Sequence, residues 1–244
     1  MRKNLPMGIP HKRDFWWLLT VSVALTMMVA AVGAASPPVT ADRASAGGAK
    51  ARAELREALR ATPDARRGQA LFAPCAACHG ADGRGVTDGS VPVIAGQHYT
   101  VIVKQLVDYR HGQRWDMQME HASRMAGLAG SQDLADVAAF AATLPRGFVG
   151  AHGDGTSLAR GTASYFERCE RCHGPLGEGD AEHGIPHLAG QHYGYLYRQF
   201  FDVVEGRRPN MDQLHDTLMR SFDREQIVGI SDYLSRTGLE SGIR

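Results

Sequence analysis

The sequence predicts an all-α fold of two similar tandem domains behind an N-terminal hydrophobic helix. Three observations carry that reading. The 244-residue chain repeats itself at a lag of 94 residues. Its apolar residues recur at helical spacing, and strand-like alternation is absent. Residues 15–35 hold no charge at all.

The N-terminal run comes first. Four cations (Arg2, Lys3, Lys12, Arg13) and one acid (Asp14) precede it, and it ends in the small residues Gly33, Ala34, Ala35 and Ser36. That pattern fits a secretory signal with a peptidase site. The run is also long enough to span a bilayer, so residues 1–35 are read as a signal peptide or a membrane anchor, with the choice open. The whole chain has a formal net charge of +1, and without those residues the rest is near −2, with no basic field of the kind that nucleic-acid binding calls for.

Residues 36–48 are rich in Ala, Ser, Pro and Gly and read as a flexible linker. Residues 49–61 contain strong helix formers, with Leu55 and Leu59 four apart, and predict a short helix. Its charges Arg56, Glu57 and Arg60 read as a solvated face. A first domain is expected over 64–145, a glycine-rich connection over 146–157 and a second domain over 158–240. Within the domains, helices are expected over 65–72, 99–109 and 132–144, and over 159–166, 193–204 and 224–234. Glycine- and proline-rich loops separate them, so each domain is a few helices around one core.

The repeat is dense between Cys75 and Leu128 and needs no gap there. Cys75, Cys78, His79 and Gly80 fall on Cys169, Cys172, His173 and Gly174. Pro92 falls on Pro186, and Ala95-Gly96-Gln97-His98-Tyr99 on Ala189-Gly190-Gln191-His192-Tyr193. Arg114, Met117, His121 and Met125 fall on Arg208, Met211, His215 and Met219. This is the pattern of a duplication within one chain.

The four cysteines form two C-x-x-C-H runs, the attachment signature of c-type haem. Two thiols add to the vinyl groups, and the adjacent histidine is placed to ligate the iron. Thioredoxin-like redox use does not require the histidine. A zinc site built from both pairs leaves the duplicated histidine unexplained. The reading is therefore two covalently bound haem c, with iron, held by Cys75, Cys78, Cys169 and Cys172. No cysteine is left over for a disulfide.

With these motifs and the Ala-Gly-Gln segments in view, the chain resembles the dihaem class I cytochromes c of the cytochrome c4 type, over roughly residues 64–237. The resemblance implies two tandem class I cytochrome c domains. It implies His79 and His173 as proximal ligands, with the carbonyls of Pro92 and Pro186 accepting a hydrogen bond from them. It also implies electron transfer in the periplasm between redox protein partners, often with membrane association. The distal ligand departs from the family. Methionine is usual there, but counting back seven from Leu128 and Phe222 gives His121 and His215. These are the first choice for the sixth ligands, as metal-binding residues beside His79 and His173. Met117/Met211 stand as the alternative, and Met125/Met219 are expected in the core. Bis-histidine ligation implies a lower potential than histidine–methionine.

Other repeated residues carry weaker readings. His98 and His192 stand at helix starts, where a polar capping or surface role is expected. Arg114 and Arg208 suit a haem propionate or plain solvent. His111, His152, His183 and His187 lack repeat partners and are expected to be solvated. Six-coordinate haems leave no open site, which argues for a carrier of electrons and not an enzyme. The rivals are a dihaem enzyme, peroxidase-like or thiosulfate-oxidising, and a cytochrome subunit of a larger membrane oxidoreductase.

Overall fold

The computed structural model describes residues 41–147 and 150–238. The uncharged run at 15–35, read above as signal or anchor, lies outside the described residues. Among the described residues no helix is long and apolar enough to cross a membrane. Secondary structure there is helical, apart from one isolated antiparallel bridge between Asp180 and Ile185.

The first half is built from α1 (Ala41–Arg60), α2 (Ala65–Leu71), α3 (Ala73–His79), α4 (Tyr99–Arg110), α5 (Met117–Ala122) and α6 (Ser131–Thr143), with a 3-10 turn at Ala126–Leu128. The second half repeats the plan with α7 (Leu158–Arg168), α8 (Glu170–His173), α9 (Tyr193–Val204), α10 (Gln213–Arg220) and α11 (Arg224–Arg236). The predicted long helices agree with α2, α4, α6, α7, α9 and α11 to within a residue or two. The short helices α3, α5, α8 and α10 have too few turns to show a period, and the sequence reading did not separate them from loops.

One expectation is corrected. Residues 36–48 were read as a flexible linker, yet α1 begins at Ala41. Alanine and arginine dominate its first turns and favour helix. Packing does the rest: Gly48, Ala51 and Ala58 are buried against the first half. Glu54 anchors the same helix, accepting from Arg110 at 2.5 Å and meeting His111 Nε2 at 2.6 Å.

Helix starts are capped by aspartates. Asp64 accepts from the amides of Arg66 and Arg67, Asp116 from those of Gln118 and Met119, Asp212 from His215, and Asp223 from Gln226. Such caps satisfy amides that a helix leaves unpaired at its first turn. Val103, Val107, Leu134 and Ala138 are fully buried in the first core, and Tyr165, Phe200, Ile230 and Leu234 fill the second.

In each half the helix that leads into the cysteine motif crosses the last helix where a side chain is missing. A Cβ on Gly68 would lie 1.9 Å from the Asp136 carbonyl oxygen, and one on Gly161 would lie 1.8 Å from the Gly229 carbonyl carbon. Those crossings lock α2 on α6 and α7 on α11. Directly after the first helix of each crossing come α3, which carries Cys75 and Cys78, and Cys169 with α8, which carries Cys172.

Candidate metal centres

The chemistry-bearing residues sit on α3 and α8 and on the loops that follow them. All four cysteines are free thiols. Cys78 and Cys172 are exposed, whereas Cys75 and Cys169 are half-buried. Burial pushes the Cys75 thiol pKa up, and that of Cys169 to about 11. Neither pair is closed into a disulfide.

His79 is 5% exposed and His173 6%. His79 donates from Nδ1 to the carbonyl of Pro92 at 3.1 Å, and His173 donates to that of Pro186 at 3.3 Å. This is the contact that the resemblance implied. Burial lowers the pKa of both rings, that of His173 to about 4, so both are neutral at pH 7. A neutral imidazole whose Nδ1 carries the proton has a free lone pair on Nε2. Each ring is thus fixed in tautomer and orientation, the condition a metal ligand has to meet.

The distal candidates differ between the halves. His215, half-buried on α10, stands edge-on to His173 with ring centroids 5.9 Å apart and planes at 86°. The two rings of the second half are therefore neighbours, on helices α8 and α10. His121 is exposed on α5, and this ring pairing has no counterpart between His79 and His121. Met117 is 73% exposed and Met125 38%. Met219 packs on the second core as expected, whereas Met125 does not. Among the described residues no cluster of three or more His, Cys, Asp or Glu is placed to hold a bare ion.

The loops after α3 and α8 meet each other, and here the sequence reading needs correction. His98 and His192 do not cap their helices. Each reaches across to the other half: His98 Nε2 donates to the Glu178 carbonyl and His192 Nε2 to that of Arg84, both at 2.8 Å. Gln97 accepts from the His187 amide and donates to its carbonyl, each at 2.9 Å. Gln191 does the same with Val93 at the same distances. Positions 93 and 187, and 84 and 178, are repeat partners, so the contact is self-complementary.

Further residues join the halves. Arg114, 6% exposed, donates to Gln105 in its own half and to Tyr195 and Gln199 in the other. Arg208 donates to Gln199 as well, and its Nε is buried without a partner. Arg114 is thus not a solvated residue. Of the histidines expected to be solvated, only His183 is exposed. His111 meets Glu54, His152 meets Ser235, and His187 lies in the contact between the halves, its pKa lowered to about 4 chiefly by burial. Arg146 was not singled out from sequence, because it has no motif around it. It lies across the junction, donating to the carbonyls of Ala189 at 2.8 and 3.0 Å and of Ala95 and His187 at 3.3 Å.

The model of the cytochrome c family matches residues 65–145 and again residues 158–237. The chain belongs to the cytochrome c family. Cytochrome c4 of Pseudomonas aeruginosa is 36% identical over 182 residues, which span 71% of this chain and 89% of that protein. A protein of Stutzerimonas stutzeri named thiosulfate dehydrogenase electron acceptor is 29% identical over 174 residues, 67% of this chain and 79% of its own length. The crystal structure of reduced cytochrome c4 from Pseudomonas stutzeri matches with a TM-score of 0.63 at 29% identity, over 72% of this chain and 100% of that one. The thiosulfate dehydrogenase of Marichromatium purpuratum matches with a TM-score of 0.61 at 28% identity, over 71% of this chain and 40% of that one. The chain is therefore of the dihaem cytochrome c4 type and carries two covalently bound haem c. The donor set fits that group in both halves: two free thiols three residues apart, then a buried neutral imidazole with Nε2 open.

Proposed function

We propose that this chain is a periplasmic carrier that passes single electrons between respiratory redox proteins. One haem is held by Cys75, Cys78 and His79, the other by Cys169, Cys172 and His173, with His121 and His215 as distal ligands. The edge-on pairing of His173 with His215 at 5.9 Å is the observation that supports bis-histidine ligation most directly. When bound, the haem supplies a one-electron couple between ferric and ferrous iron.

The residues of the chain do the rest. The Pro92 and Pro186 carbonyls hold each proximal ring in the tautomer that presents Nε2. Burial of His79 and His173 keeps protons off the ligands. A histidine on the distal side fills the sixth position, so small molecules are excluded and electron transfer is favoured over catalysis. The domain limits read from sequence, 64–145 and 158–240, give one such centre to each half. The uncharged run at 15–35 serves export, by cleavage or as an anchor.

A redox titration of the purified protein, followed by visible absorption and electron paramagnetic resonance, tests this. The expected result is two haems per chain with low-spin bis-histidine signals, neither binding carbon monoxide when reduced. Carbon monoxide binding at one haem would favour the rival, a dihaem redox enzyme.

Two relatives favour a narrower second reading, in which the donor is an enzyme that oxidises thiosulfate. Mixing the chain with a thiosulfate dehydrogenase and thiosulfate should then reduce both haems. Reduction by thiosulfate with no enzyme present would instead make the chain itself the catalyst.

A further inference from the structure

Each proximal histidine donates to a peptide group whose other end is held by the opposite half. The Pro92–Val93 peptide accepts from His79 at its oxygen, 3.1 Å away, and its N–H donates to Gln191 Oε1 at 2.9 Å. The Pro186–His187 peptide accepts from His173 at 3.3 Å, and its N–H donates to Gln97 Oε1 at 2.9 Å. Two short chains of hydrogen bonds therefore run crosswise: Gln191 to His79, and Gln97 to His173. Gln191 is 5% exposed, so its bond is shielded from water.

We infer that Gln97 and Gln191 are positioning residues that set the reduction potential of the haem in the opposite half. An acceptor on a peptide N–H polarises that peptide and makes its carbonyl oxygen a better acceptor. A stronger bond to Nδ1–H leaves the imidazole more electron-rich at Nε2 and a better donor to the iron. Better donation favours ferric iron and lowers the potential. The carboxamide also brackets the next carbonyl, Nε2 donating to Val93 or His187 at 2.9 Å, which fixes its orientation. Both haems are thus tuned from across the junction by the same device, and a displacement of the halves changes both potentials at once.

This inference rests on His79 and His173 being the proximal ligands, and the test separates the two. The haem-loaded chain is titrated by proton nuclear magnetic resonance, following haem-methyl signals assigned to each half. Gln191→Leu should raise the ferrous-to-ferric ratio of the His79 haem at fixed potential by about threefold, roughly 28 mV at 59 mV per tenfold. The His173 haem should move far less. Gln97→Leu should do the reverse. Gln191→Met and Gln97→Met keep the side-chain length but remove the acceptor, so they should raise the opposite haem's potential in the same way; they serve if the leucine variants fail to fold. A shift confined to the variant's own half, an equal shift in both haems, or none in either overturns the inference. Nitrogen-15 labelling of histidine reports the ligands independently: iron-bound rings other than His79 and His173 would refute the ligand reading and the inference with it.

Discussion

The His215 ring stands at 86° to that of His173 with its centroid 5.9 Å away. The two come from different helices, α8 and α10, and under the proposed bis-histidine ligation they serve one haem. The ferric protein should therefore lack the weak red charge-transfer band of methionine-ligated haem at two-haem intensity. His215→Met should introduce that band at one haem and raise its potential. A band already present at full two-haem strength in the unaltered protein would exclude His215.

The crossing of α7 and α11 leaves no room for a methyl group. A Cβ at position 161 would fall 1.8 Å from the backbone of Gly229. Both atoms are backbone-fixed, so the helices must separate. Gly161→Ala should cost about 1–3 kcal/mol or more, read as a lower urea midpoint by circular dichroism. An unchanged midpoint would mean that the crossing is looser than described.

Arg146 holds three carbonyls from both halves, and burial lowers its pKa to about 10. Its hydrogen bonds carry charge and are partly shielded, so each contributes more than a neutral one. Arg146→Met should lower unfolding free energy by about 1–3 kcal/mol and separate the melting of the two halves in calorimetry. A single unshifted transition would show that the glutamine and histidine bridges suffice.

His187 carries a pH dependence. Its pKa is lowered to about 4, first by burial and then by Arg146 and His98, whose ring centroid lies 6.1 Å away. An unfolded histidine titrates near 6.5, so the unfolded state takes up the proton first. The stability from a neutral His187 is fully present above about pH 6.5 and is lost as pH falls toward 4. His187→Val, the residue found at the repeat position 93, should flatten that part of the urea-midpoint profile. If the variant and the parent lose stability in parallel between pH 6.5 and 4, the dependence lies elsewhere.

Most of the fold and the contacts of His79 and His173 with Pro92 and Pro186 were legible in the sequence, for physical reasons. The C-x-x-C-H runs are local, and the long helices carry enough turns to show their period. Helix α1 was partly missed because glycine and alanine near residue 48 look like linker until the core they pack on is known. The histidines after Gln97 and Gln191 looked like helix caps because a cap is the local option. Their actual partners, the carbonyls of Glu178 and Arg84, are 80 and 108 residues away. Arg146 gave no signal, since its partners are backbone oxygens that any sequence would supply. The difference between His121 and His215 was also hidden, because the repeat makes the two positions look alike.

The junction also shows how a replacement is absorbed. Trp115 donates its amide to the Arg207 carbonyl at 2.8 Å, but the matching position in the second half is Pro209, which has no N–H. Asn210 donates instead, to the Gln113 carbonyl at 3.0 Å. The principal bridges go further in the same direction. Gln191 grips Val93 and Gln97 grips His187 by main-chain atoms alone, so a valine and a histidine are held identically. The grip itself therefore does not depend on which side chain the gripped residue carries. Two copies that began alike could acquire separate surfaces, and so separate clients, while still docking on each other as siblings.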